Sequence, residues 1–218
     1  MEDEEIKPWG TVAGLVTGFF PDTDFVLGLI DRQFYLQYHR DFTHSLLLLP
    51  FYALFFSWVF TKITKRRHLW SFYKICLFVL ISHVFMDLFT SYGTMVFAPF
   101  SDHRYAWDLT FIVDLIFLGI LFVPWILSLF WRKRAVWICR GSLMLLTVYI
   151  LFCAVQHHRA INVTKEFAGN LNEEVVQIAS LPQPLSPFRW GNYVETRENV
   201  YQGFVDLIAN RSPVPRNP

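Results

Sequence analysis

Apolar residues gather in four long runs separated by short basic or polar links. A helix needs about 20 mostly apolar residues to cross a bilayer. His44–Ile63, Phe72–Thr90, Phe111–Phe130 and Ile138–Val155 approach that length, so the pattern predicts four transmembrane helices. An earlier run, Trp9–Phe20, is too short to span and predicts a short N-terminal helix. Pro50 and Pro124 fall inside the first and third runs. Neighbouring helices can satisfy the backbone groups a proline frees, which predicts kinks and not breaks.

After Val155 the pattern changes. Ile161–Ser180 predicts an amphipathic helix with Val175, Val176, Ile178 and Ala179 as its apolar contacts. The proline-rich LPQPLSPFRW predicts extended chain. Phe188–Leu207 predicts short strands. The expected fold is therefore an all-α integral membrane protein with about four transmembrane helices plus a short N-terminal helix. A small mixed α/β C-terminal extension follows. The expected division is a membrane domain over residues 1–155 and an extracytoplasmic extension over 156–218.

Composition agrees with a membrane protein. Hydrophobic residues make up 54% of the chain and charged residues 17%, against about 25% charged in soluble domains. A net charge of +1 gives no sign of a nucleic-acid partner and leaves the lipid bilayer as the evident one. Cys76, Cys139 and Cys153 lie in apolar runs without zinc-knuckle spacing and read as buried thiols. Lys62, Lys65, Arg66 and Arg67 follow the first run, and Arg132, Lys133, Arg134 and Arg140 follow the third. Basic links face the cytoplasm, so the segments before the first run and between the second and third should face outward.

Polar chemistry collects at that outward face. Asp22 and Asp24 are two apart after Pro21, and in extended chain both carboxylates would face one cation; a turn or helix cap would use the same residues. His39, Arg40, Thr43, His44 and Ser45 fall within seven residues. His83 and Asp87 stand at i and i+4, on one face of the second run. An aspartate in a membrane helix costs roughly 2.5–3.5 kcal/mol on insertion scales, so it needs a partner. That partner is a shared metal or a histidine that merely locks helix packing. Asp114 is a further ligand or a carboxylate orienting one. Histidine and carboxylate ligands suit zinc, manganese or iron better than calcium. Arg40 could grip an anionic group through its planar fork, or snorkel. His68, His103, Asp102, Asp108, His157 and His158 lie away from this cluster or on exposed links.

The order PDTD, HRDFTHS, SHVFMD, SYG, APFSD and then Asp114 resembles a bacterial family of predicted inner-membrane, metal-dependent hydrolases, domain of unknown function 457. The resemblance covers about Pro21–Phe130, and PQPLSPFRWGNYVET looks like the C-terminal extension of one branch. It implies a multi-span inner-membrane protein whose site residues are Asp22, Asp24, His39, Arg40, His44, His83 and Asp87. This chain departs from the family in two ways. No histidine precedes His39, so either the start is late or one ligand is absent, and Asp41 stands where glycine is common.

These readings converge on metal-dependent hydrolysis at the extracytoplasmic face, with a lipid or phosphorylated small molecule as substrate. Zinc or manganese would be held by His44, His83 and Asp87, with His39 as a further candidate. Asp22 or Asp24 would join them and the other would act as general base, while Arg40 would stabilise anionic charge. The rival expectations are a metal-handling or transport protein and a non-catalytic membrane assembly protein.

Overall fold

The computed structural model of the chain describes residues 2–65 and 68–209. Arg66 and Arg67 of the first basic link, and residues 210–218 of the extension, lie outside the described residues. The chain divides into two compact units, Met1–Ala106 and Trp107–Pro218.

The first unit runs α1 (Glu2–Phe19), a 3-10 turn (Pro21–Val26), α2 (Leu27–Ile30), α3 (Arg32–Tyr38), a 3-10 turn (Phe42–His44), α4 (Leu49–Thr64) and α5 (Leu69–Asp87). A loop closed by the Thr94–Tyr105 bridge completes it. Helix α5 buries Phe72, Cys76, Leu80 and Val84. Their spacing of four makes one stripe, which meets Leu49, Ala53 and Phe60 of α4 and Ala13 of α1. Thr17 of α1 donates to the Cys76 sulfur at 3.3 Å. A Cβ added at Gly18 would lie 2.9 Å from Val79 Cγ1, so α1 approaches α5 closely only because that position is glycine.

In the second unit, α6 (Leu115–Phe130) joins α7 (Ala135–Gly169) through a 3-10 turn at Arg132–Arg134. Pro124 inside α6 has no N–H to offer the carbonyl of Ile120. The Ser142 hydroxyl of α7 donates to that carbonyl at 2.6 Å. Three antiparallel strands follow, β1 (Val175–Pro182), β2 (Arg189–Thr196) and β3 (Val200–Asp206), in the order β1-β2-β3. Pro182 is tolerated because β1 is an edge strand. The sheet packs on α7, with Trp190 fully buried and the Thr164 and Ser180 hydroxyls 2.9 Å apart.

The expected all-α, four-span architecture is overturned. A three-stranded sheet is present, and only two helical stretches among the described residues, Leu69–Asp87 and Arg132–Gly169, are long and apolar enough to cross a membrane. Helices α4 and α6 have 16 residues each, about 24 Å, which falls short of a hydrocarbon core of about 30 Å.

Local corrections follow because the ends of the apolar runs and the ends of the helices do not coincide. His44 lies in the turn before α4, and Pro50 sits in the first turn of α4, where no kink arises. The N-terminal helix begins at Glu2, earlier than Trp9. At Val155 the apolar run ends but α7 does not, because its buried stripe continues through Gln156, Ala160, Thr164 and Ala168. The amphipathic helix expected over 161–180 is thus the end of α7 followed by β1, where Val175, Val176 and Ile178 take strand geometry. The strands anticipated within 188–207 are β2 and β3. Between β1 and β2 the chain turns, with Leu185 at φ +67°, where extended chain was expected. Cys76 and Cys153 are buried, but Cys139 is exposed.

Candidate functional site

The 3-10 turn after α1 decides which way the paired aspartates point. Phe20 anchors it by edge-on contacts with Tyr52 and Phe56, and the Thr23 hydroxyl donates to the Phe20 carbonyl at 2.7 Å. Asp22 and Asp24 therefore sit on a 3-10 turn and not on extended chain. Such a turn advances about 120° per residue, so positions i and i+2 diverge. Asp22 faces His44 and His83, whereas Asp24 faces His39 and the Arg40 backbone.

Arg40 reverses the chain at φ +60°. A left-handed non-glycine residue costs about 1–3 kcal/mol and persists only where its surroundings fix it. Here the Arg40 N–H donates to Asp24 Oδ2 at 2.9 Å, and its carbonyl accepts from Met95 N–H at 3.0 Å. Its guanidinium turns inward to Asp87 Oδ1 at 3.0 Å and donates to Thr90 Oγ1 at 2.7 Å. Arg40 thus holds one oxygen of Asp87 and aims the other. Arg40 Nε is buried without an acceptor.

That second oxygen, Asp87 Oδ2, lies 3.0 Å from His44 Nε2 and 3.4 Å from His83 Nε2. Asp22 Oδ1 is 3.5 Å from His83 Nε2 and 4.0 Å from His44 Nε2. The two imidazole rings are 5.3 Å apart between centroids. Asp22, His44 and His83 each offer a ligand atom within 4.8 Å of the others. His44 is fully buried, while the Asp22 side chain is 49% exposed and gives the cluster its opening.

Thr43 fixes which nitrogen of His44 carries the proton. Its hydroxyl donates to Asp24 Oδ2 at 3.2 Å and lies 2.9 Å from His44 Nδ1. A hydroxyl has one proton to give, so Nδ1 must donate back to it. In the neutral ring, Nε2 is then a lone pair facing the Asp87 carboxylate. His44 Nε2, His83 Nε2 and Asp87 Oδ2 are all buried and make no hydrogen bond. A carboxylate oxygen and imidazole nitrogens so placed need a proton or a metal cation between them. Four ligands at zinc distances in a tetrahedron stand roughly 3.3–3.6 Å apart, close to the separations observed. The donor set fits a divalent cation.

Asp24 and His39 form a separate pair beside the cluster. His39 Nδ1 is 2.7 Å from Asp24 Oδ1, and an ionised carboxylate can only accept. Burial would raise the Asp24 pKa, but the hydrogen bonds from His39 and the Arg40 N–H outweigh it and hold the carboxyl below its ordinary value. Tyr35 stacks on His39 at 4.6 Å and Tyr92 meets it edge-on at 4.7 Å. Arg40 and Arg104 both lie over the Tyr92 ring. Gly93, at φ +83°, could not carry a side chain, because a Cβ would come within 2.9 Å of Arg104 Cβ.

Of the seven residues expected at the site, Asp22, His44, His83 and Asp87 converge on one point. Asp24, His39 and Arg40 surround and orient that group. Asp114 is elsewhere: it caps α6 through Ile116 and Phe117 N–H and accepts from the Tyr149 hydroxyl at 2.6 Å. Asp41 is buried; burial raises its carboxyl pKa, only partly offset by Arg104. His68 precedes α5 at the end remote from His83. His103 packs edge-on against Tyr105, and His157 stacks on Trp190. Thr90 and Tyr92 were not anticipated, although Thr90 lies one helical turn beyond Asp87.

Exposed leucine, phenylalanine and tryptophan on the helices, with two stretches long and apolar enough to cross a membrane, fit the class of membrane proteins, and the first unit carries a buried histidine–aspartate cluster. The chain belongs to the YdjM inner membrane protein family, which matches residues 2–160. It is therefore an inner-membrane protein; the family description gives a location and no reaction. The chain is also similar to "Uncharacterized protein YfhP" of Bacillus subtilis (strain 168), at 28% identity over 222 residues. That alignment takes in 94% of this chain and 63% of the relative, so the chain spans less than two thirds of the relative's length. No solved structure matches.

Proposed function

We propose that the protein is a divalent-metal-dependent hydrolase working at the membrane surface on a phosphoester or other lipid-linked bond. One observation carries this reading: three buried polar atoms, His44 Nε2, His83 Nε2 and Asp87 Oδ2, face one another at 3.0–3.4 Å around the carboxylate oxygen with no hydrogen bond of good geometry. His44, His83, Asp87 and Asp22 would hold the cation, with zinc or manganese the best matches. A cation bound there supplies Lewis acidity toward a phosphoryl or carbonyl oxygen and makes water a stronger acid.

The surrounding residues suit the remaining tasks. His39 gives its Nδ1 proton to Asp24 and so keeps Nε2 as a proton acceptor; at 12% exposure its side chain is within reach of water. Asp24 orients His39 through its Nδ1, so the base is the histidine and the carboxylate its support. Arg40 aims Asp87, and its Nε–H is a donor left over for an anionic oxygen. The site sits at the last residue of α5, a helix long enough to cross a membrane. That position favours a substrate presented at the lipid surface.

Metal analysis of the purified full chain tests the reading. About one zinc or manganese per chain is expected, with H83A losing the metal while keeping wild-type helicity. A metal-free protein whose thermal stability ignores both added zinc and chelator would overturn it.

A further inference from the structure

The turn joining α6 to α7 concentrates positive charge without any internal counter-charge. Arg132, Lys133 and Arg134 occupy three successive exposed positions of a 3-10 turn, which fans their side chains around the axis. Arg140 follows, its guanidinium 5.4 Å from the centre of the Trp137 ring. No acidic residue occurs anywhere between Asp114 and Glu166. Among the described residues none of these four cations makes an ion pair. Helix α7 has Arg134 as its N-cap and no side-chain cap there, so the turn brings no acidic or hydroxyl side chain of its own to the three cations.

The surroundings of the turn are apolar. Phe130, Trp131, Val136 and Trp137 are exposed, and no residue of α6 is buried. A hollow of about 610 Å³ is lined by Leu129, Phe130 and Trp131 together with the three cations Arg132, Lys133 and Arg134. Tryptophan and arginine together mark the depth of lipid headgroups, and the stretch that begins at Arg132 is long and apolar enough to cross a membrane.

We propose that this turn is a binding site for the headgroup phosphate of an anionic phospholipid. The hollow takes the glycerol and upper acyl chains against Phe130 and Trp131, while Arg132, Lys133 and Arg134 surround the phosphate. Charge complementarity selects an anionic lipid over a zwitterionic one, whose own cation would meet three more.

The test uses the full chain in detergent with equimolar phosphatidylglycerol and phosphatidylcholine, and native mass spectrometry to count retained lipids. Wild type and the control K165Q should retain phosphatidylglycerol preferentially. R132Q/K133Q/R134Q should lose that preference roughly tenfold or more, given a substantial contribution from each basic residue near an anionic surface. R132K/R134K keeps the charge and should behave as wild type, which guards against a folding defect in the triple variant. Equal retention of both lipids by wild type, or an unchanged preference in the triple variant, would overturn the proposal. So would complete displacement of phosphatidylglycerol by millimolar inorganic phosphate, which would make the turn a site for free phosphate.

Discussion

Replacing Thr43 with valine preserves the side chain's shape and removes the hydroxyl that links Asp24 to His44. Two interactions disappear, at 3.2 Å to Asp24 Oδ2 and 2.9 Å to His44 Nδ1. A hydrogen bond to a charged group contributes about 1.5–3 kcal/mol, and a buried donor left unpaired costs about 1–3 kcal/mol. His44 can escape the second cost by moving its proton to Nε2, where Asp87 Oδ2 waits at 3.0 Å. The apoprotein should therefore lose about 1.5–3 kcal/mol, from the Asp24 bond alone. That relief occupies the nitrogen needed for the cation, so metal binding should suffer in addition to folding. Groups that orient a metal ligand typically govern 10–100-fold in affinity, so a fall in zinc affinity of about that size is expected. Competition against a chromophoric chelator measures affinity, and thermal unfolding with and without chelator measures stability. Thr43→Ser, which restores the hydroxyl, should return affinity to near wild type. A T43V affinity within threefold of wild type, or a serine variant as weak as valine, would refute the tautomer argument.

Asp24 should make the first unit acid-sensitive. Its carboxyl is held below the ordinary value in the folded state, so it contributes stability above the unfolded pKa of about 3.9 and loses it as pH falls through the lower folded value; D24N should be less stable at pH 7 but flatter between pH 5 and 2 by monitored helicity. Asp41 has the opposite sign, because burial raises its pKa: the wild type should gain stability on acidification, and D41N should show a higher Tm at pH 7 with that gain removed. Ser142→Ala leaves the Ile120 carbonyl opposite Pro124 without its donor, costing about 1 kcal/mol in mixed-micelle unfolding; an unchanged midpoint would mean water serves that carbonyl instead. Gly93→Ala meets both a positive φ and the Arg104 side chain, and should cost about 1–3 kcal/mol, read as a lowered Tm.

How much was legible in the chain depended on whether a feature was local. The i, i+4 relation of His83 and Asp87 survives because α5 forms where its apolar run lies. The strands within 188–207 could be seen because proline and alternation mark them locally. By contrast, the roles of Asp22 and Asp24 turned on whether Pro21–Val26 is extended or a 3-10 turn, a choice settled by Phe20 packing between Tyr52 and Phe56. The hold of Arg40 on Asp87 and Thr90 was not legible because nothing in its neighbourhood reveals residues 47 and 50 positions away. Hydropathy overestimated the spans for a similar reason. It counts apolar residues in the turn before α4 and in the loop before α6 as if they were helical. It also stops at Val155, where α7 exchanges a lipid-facing surface for one that packs on a sheet.

The continuity of α7 has a mechanical consequence. Its 35 residues extend about 52 Å, and a crossing begun at Ala135 is complete after about 20 of them. The remaining two fifths add roughly 20 Å of continuous helix beyond what such a crossing needs. Because β1 and β2 are packed directly onto α7, a tilt of the helix carries the sheet with it, so the two move as a lever and its pointer.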